Sequence, residues 1–228
     1  MDNTNTKEIL RVLVGSRACG LESPDSDYDY RAIHIKPTST IVSLGHKYKA
    51  SHSINGVVDD LSYELYHFLK LAAHSNSDAL QCLVAPVISN TPEGILLQEL
   101  FPKLWSSDGV LDAYEGYARS QYKNLKKIWN SNKVRAAKFA VSYIRVLYYG
   151  TQLLIHGTYD LNVRNTELWG MLWRWKNKLD LSLDEVEFVA EEWTRNLHNA
   201  YAMNHDKETD YEAVNNFLIN IRKNNWEI

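Results

Sequence analysis

Apolar residues recur along this chain with two different periods, and the change from one to the other falls near residue 100. Upstream, the apolar runs are short and end in turn residues. Leu10 to Val14 runs into Gly15-Ser16 and predicts a buried strand ending in a turn. Tyr28 to Ile35 is β-rich and stops before Pro37, which predicts a second strand. Val57 to Leu61, after the turn signal Asn55-Gly56, predicts a third. An edge hairpin is expected between Ile41 and His52. Ser62 stands where it would cap a helix beginning at Tyr63. In that helix Leu65, Phe68, Leu69 and Ala72 follow i, i+3, i+4, i+7 spacing and form one apolar stripe. A second helix is expected over Asp78 to Val84, after which Pro86, Pro92 and Gly94 punctuate the chain.

Downstream, the helical period dominates. Amphipathic helices are predicted over 112–130, 133–156, 165–178, 183–203 and 210–223. The expected fold class is α+β: a small mixed-sheet domain over residues 1–100, then an all-α helical domain over 101–228. No flexible Gly/Ser linker separates the two.

Composition narrows the class. Hydrophobic residues are 45% of the 228, enough to fill a core without a membrane span. The N-terminus is polar and lacks the apolar run of a signal peptide. Cys19 and Cys82 are too few for a disulfide scaffold, so both are read as reduced thiols in a cytoplasmic protein. His46, His52, His67 and His74 match no zinc spacing and are read as structural or surface residues.

The formal net charge of -3 argues against a general nucleic-acid coat protein, but the charge is segregated. From Gly116 to Tyr159 there is no Asp or Glu, while Arg119, Lys123, Lys126, Lys127, Lys133, Arg135, Lys138 and Arg145 all fall there. This window is the best candidate for a phosphate-facing surface; the alternative is a solvated face balanced by the later acids. Tyr117, Tyr122, Trp129, Tyr143, Tyr148 and Tyr149 add rings suited to base stacking.

Candidate chemistry concentrates in the segment VLVGSRACGLESPDSDYDYR, residues 12–31. A strand delivers Gly15 and Ser16 into a turn where backbone N–H groups can approach an anion. Asp27 and Asp29 sit two apart at the start of a strand, so they share a face. Two carboxylates held side by side repel unless a cation lies between them, and magnesium suits such a site. A P-loop is excluded, because GSRACG lacks the Gly-Lys-Ser/Thr ending.

Gly15-Ser16 followed by Asp27-Tyr28-Asp29 resembles the signature of the polymerase-β-like nucleotidyltransferase superfamily. The longer string GSRACGLESPDSDYDYRAIHI is similar to its bacterial and phage RNA-repair-associated branch. So are Asp60 to Leu71, Ser77 to Leu83 and Lys138 to Gly157. The resemblance implies a palm-like catalytic domain and transfer of a nucleoside monophosphate from a nucleoside triphosphate to a hydroxyl, releasing pyrophosphate. Gly15 and Ser16 would hold the β/γ-phosphates, and Asp27 and Asp29 would bind two magnesium or manganese ions. A third carboxylate is implied on a neighbouring strand. Asp60 is favoured, with Asp59 and the more distant Glu64 as alternatives. Lys138, Ser142 and Tyr143 match a helical-domain triphosphate contact, and Arg17 is a further phosphate candidate. The expected acceptor is an RNA end, joined without a template. A protein or small-molecule acceptor, or a silent binding module, are the competing readings. The oligomeric state is left open.

Overall fold

The computed structural model describes residues 6–44, 51–55 and 58–227, with backbone alone at 51–55, 58 and 59. The elements run β1 (Lys7–Val14), α1 (Gly15–Ala18), β2 (Tyr28–Ile35), α2 (Thr38–Ile41), β3 (Ser51–Asn55), β4 (Val58–Glu64), α3 (Leu65–Ala73), α4 (Ser77–Val84), β5 (Val87–Asn90) and α5 (Pro92–Glu99). Five longer helical segments follow: α6 (Ser107–Ile128), α7 (Lys133–His156), α8 (Trp169–Lys178), α9 (Leu183–Met203) and α10 (Tyr211–Asn224). The fold is α+β. Every described strand lies before residue 91, in a five-stranded sheet ordered β3-β4-β2-β1-β5. β2 and β4 are parallel and the other pairs antiparallel, so the sheet is mixed.

Local signals explain most of the boundaries. α7 starts at Asn132, whose side chain accepts from the Arg135 N–H, and stops at Gly157 with φ 72°. α9 starts at Ser182, which caps Glu185. α6 begins earlier than expected because Ser106 caps Gly109. β4 runs three residues past its predicted end at Leu61. Ser62 is therefore a strand residue whose Oγ lies 2.7 Å from His34 Nδ1, and the cap of α3 is Glu64. β5 and α5 lie in a stretch read only as punctuated. β5 has four exposed residues and no alternation to betray it. Of the hairpin expected between Ile41 and His52, residues 45–50 lie outside the described residues. Its start is the helical turn α2, and β3 follows.

The core joins sheet and helices. Val12, Ile33, Leu65 and Phe68 of the first half belong to the same buried cluster as Tyr114, Ile144, Trp175 and Leu197 of the second. Among the described residues no helix is long and apolar enough to cross a membrane. The chain's end is also tied to the sheet. Glu64 is fully buried, accepts from the Tyr66 N–H, and forms an ion pair with Arg222 of α10. Thr38 Oγ1 donates to the carbonyls of Arg222 and Asn225.

Two outcomes follow. Glu64→Ala strands the Arg222 cation and removes the α3 cap, so a urea melt should show a loss of about 3–5 kcal/mol. A loss under about 1 kcal/mol would mean that the pair is solvated. Burial holds His34 below the ordinary histidine pKa, with Glu64 opposing the shift. In acid the unfolded chain takes up a proton at His34 that the folded chain refuses. Stability should therefore fall as pH drops below about 6.5, and His34→Asn should flatten that slope in melts between about pH 7 and 5.

Candidate active site

β1 and β2 fix the first half of the site. Their register pairs Val14 with Asp29, so the end of one strand lies beside the start of the other. The chain then turns at Gly15 with φ 67°, a left-handed conformation that favours glycine. A Cβ at residue 15 would lie 1.9 Å from Asp29 Oδ2. The bare glycine is what lets the carboxylate rest against the turn. Ser16 follows, and its carbonyl accepts from the Leu21 N–H at 3.0 Å.

The loop from Gly20 to Asp27 is pinned from both halves. Arg17 Nε and Nη2 donate to the Ser26 carbonyl at 3.1 and 2.7 Å, and the guanidinium lies 4.0 Å from the centre of the Tyr28 ring. From the helical half, Trp169 Nε1 donates to the Gly20 carbonyl at 2.9 Å, and Asn177 Nδ2 to the Leu21 carbonyl at 3.2 Å. Lys176 Nζ reaches Ser26 Oγ at 3.4 Å.

These elements enclose a cleft of about 370 Å³, in the range of small-molecule sites. One wall carries Gly15, Ser16, Asp25, Ser26, Asp27 and Asp29. The other carries Val134, Lys138, Val141, Ser142 and Arg145 of α7, with Lys176 and Asn177 of α8. The α7 positions follow i, i+4, i+7, i+8, i+11 and form one helical stripe. Lys138, Arg145 and Lys176 make no ion pair among the described residues. The Arg145 Nε is buried with no hydrogen-bond partner among the described residues. Burial, and then the nearby charges of Lys138 and Arg145, lower the pKa of Lys176. Three cations crowded in this way favour an anion between them.

Six residues expected at the site thus share one cleft: Gly15, Ser16, Asp27, Asp29, Lys138 and Ser142. Three do not. Asp60 is the register partner of Tyr30, and the parallel pairing sets Asp59, not Asp60, beside Asp29. Neighbouring strand positions face opposite ways, so Asp60 lies on the far side of the sheet. There its Oδ2 pairs with Arg11 at 2.6 Å, while its Oδ1 is buried without a partner among the described residues. Arg17 uses its guanidinium on the Ser26 carbonyl and Tyr28 rather than on the cleft. Tyr143 packs its ring 5.6 Å from that of Tyr122, away from the stripe. Glu64, the distant alternative, is committed to Arg222.

Arg145 and Lys176 were missed as site residues. The stripe from Lys138 could have exposed Arg145, since both fall on one face. Lys176 gave no local signal, because only the packing of α8 brings it to Ser26. The basic window is not one surface. Arg119 pairs with Glu115 and Lys126 with Glu187, while Lys138 and Arg145 turn into the cleft.

Among the described residues no group of three or more His, Cys, Asp or Glu side chains is gathered closely enough to hold a metal ion alone. The cleft is instead lined by the carboxylates of Asp25, Asp27 and Asp29. Magnesium is commonly held by one or two carboxylates, with waters and phosphate oxygens completing its shell. The donor set therefore fits.

Comparison with known proteins places the chain. An uncharacterized 38.9 kDa protein from the nrdC-mobD intergenic region of enterobacteria phage T4 is 25% identical over 148 residues, 61% of this chain. The chain matches only 41% of that relative's length. A crystal structure of a nucleotidyltransferase-like protein from Exiguobacterium sibiricum 255-15 overlays 96% of this chain and 74% of its own, at 11% identity and a TM-score of 0.30. A family model described as the RNA repair pathway DNA polymerase beta family matches residues 2–220. The polymerase-β-like character implied by Gly15-Ser16 and Asp27-Tyr28-Asp29 is thereby shown, and the chain belongs to the RNA repair pathway DNA polymerase beta family.

Proposed function

We propose that the chain moves a nucleoside monophosphate from a nucleoside triphosphate to an acceptor hydroxyl, an RNA end, and releases pyrophosphate. One observation carries this reading. The Gly15-Ser16 turn, the Asp27 and Asp29 carboxylates and three cations that form no ion pair among the described residues, Lys138, Arg145 and Lys176, face one cleft. Opposed carboxylates and cations are what a metal-bound triphosphate requires on its two sides. The family's description, with its RNA repair pathway, supports an RNA acceptor.

In this reading Asp27 and Asp29 hold divalent cations, magnesium or manganese, on the sheet side. Asp59, the register partner of Asp29, takes the role of third carboxylate in place of Asp60. Bound metal supplies Lewis-acid neutralisation of phosphate charge and makes the acceptor hydroxyl easier to deprotonate. Ser16 and the turn orient the outer phosphates. Lys138, Arg145 and Lys176 balance the charge that gathers on the pyrophosphate as it leaves. The acceptor oxygen bonds to the α-phosphorus while the bond from phosphorus to the pyrophosphate oxygen breaks, and the hydroxyl proton passes to solvent water. No template-reading element is required by this arrangement.

The test is transfer of label from each α-labelled NTP to a pool of RNA, with and without magnesium. Asp27→Ala and Asp29→Ala should each lower the rate by at least about a hundredfold. Asp60→Asn should leave it within about threefold. Label moving to protein or to a small molecule would replace RNA as the acceptor. No transfer and no magnesium-dependent NTP binding would leave a binding module. Gly15→Ala forces a Cβ onto Asp29 and strains the left-handed turn, at a cost of about 1–2 kcal/mol from the backbone alone. It should weaken magnesium binding, measured by calorimetry, at least as much as Asp29→Asn does. Unchanged binding would show that Asp29 is not a metal ligand.

A further inference from the structure

We infer that the α6–α7 corner at the mouth of the cleft, centred on Lys133 and Arg135, is a docking surface for single-stranded nucleic acid, which leads the acceptor end into the site. The inference takes from the proposed function only the direction of travel; docking itself needs no turnover.

The corner is continuous with the cleft. Val134 lines the cleft wall and is also 54% exposed, and the stripe from it through Lys138 and Ser142 to Arg145 runs from mouth to floor. On either side of Val134, Lys133 and Arg135 are exposed. Neither forms an ion pair among the described residues, and the same holds for Lys123 and Lys127 of α6. Both cations stand in the first turn of α7, which has no acid there. α4, α5, α6, α9 and α10 each place an acid in theirs. Positive charge at a helix N-terminus opposes the helix dipole and costs stability, so stability does not explain this arrangement.

Aromatic rings accompany the charges. Lys133 Nζ lies 5.5 Å from the Trp129 ring centre, and the Arg135 guanidinium 5.7 Å from that of Phe139. Both rings are partly exposed. Both rings also pack against the core on their inner sides, and three other rings of the basic window have further partners or full burial. Tyr149 is buried, Tyr148 packs edge-on against Trp193, and Tyr122 donates to Glu187. Exposed cations paired with ring faces, beside a cleft that takes phosphate, suit a strand whose backbone meets the charges and whose bases stack on the rings. An acidic polypeptide would meet the charges without using the rings.

The experiment measures binding of a fluorescein-labelled, unstructured 12-nucleotide RNA to the full chain by anisotropy across a salt series, with magnesium and no NTP. Lys133→Gln/Arg135→Gln removes two phosphate contacts. The slope of log Kd against log salt should shrink by about 1.4, and affinity at about 0.1 M salt should fall about twentyfold. Lys133→Arg/Arg135→Lys should restore both. NTP binding, followed with a fluorescent ATP analogue, should be the same in all three proteins. This separates the corner from the nucleotide site and keeps the inference distinguishable from the proposed activity. The inference is overturned if RNA affinity and slope are unchanged in the Gln variant. It is equally overturned if NTP binding falls alongside, or if poly-glutamate of matched charge displaces the RNA as well as unlabelled RNA does.

Discussion

The contact between Gly15 and Asp29 sets the geometry of the rest of the site. A turn that must end β1, bend at positive φ and leave room for a carboxylate admits only a residue without a Cβ. Once that contact exists, the antiparallel pairing of Val14 with Asp29 aligns the end of β1 with the start of β2. The parallel pairing of β2 with β4 then sets the backbone of Asp59, not that of Asp60, opposite Asp29. A strand that delivers an acid to a phosphate-sized turn is a small structure, and it does not stand alone.

The helical half completes it with charge and with hydrogen bonds. Trp169, Lys176 and Asn177 hold the Gly20–Asp27 loop through backbone carbonyls and one hydroxyl, while α7 supplies a cationic stripe across the cleft. The carboxylate wall comes from the first thirty residues, and the cation wall from helices more than a hundred residues further on. Each wall alone would suffer from like-charge repulsion, and a bound metal–triphosphate would relieve both. Strand alternation turns Asp60 to the far face, where it pairs with Arg11.

Local signals in the sequence were sufficient for α7 and α9, though not for the start of α6 or of α8. Asn132, Gly157 and Ser182 mark helix ends by their own side chains or backbone freedom, so α7 and α9 fall at the predicted bounds. The Gly15-Ser16 turn and the Asp27, Asp29 spacing were legible because the chemistry and the β period act over a few residues. Which of Asp59 and Asp60 pairs in register with Asp29 was not legible. Strand parity can be settled only by register with β2, and β4 proved longer than its apolar run. β5 was hidden by its four exposed residues, and Lys176 by depending wholly on how α8 packs against the loop. Arg17 and Tyr143 carried plausible spacing, but stronger local partners, the Ser26 carbonyl and the Tyr122 ring, claim them.

The most direct measurement of the central claim is a crystal structure of the chain with magnesium and a non-hydrolysable NTP. The account predicts metal bound by Asp27 and Asp29, the outer phosphates against Gly15-Ser16, and Lys138, Arg145 and Lys176 on the phosphate oxygens. Nucleotide bound outside this cleft, or metal held by Asp60 on the opposite face of the sheet, would contradict it.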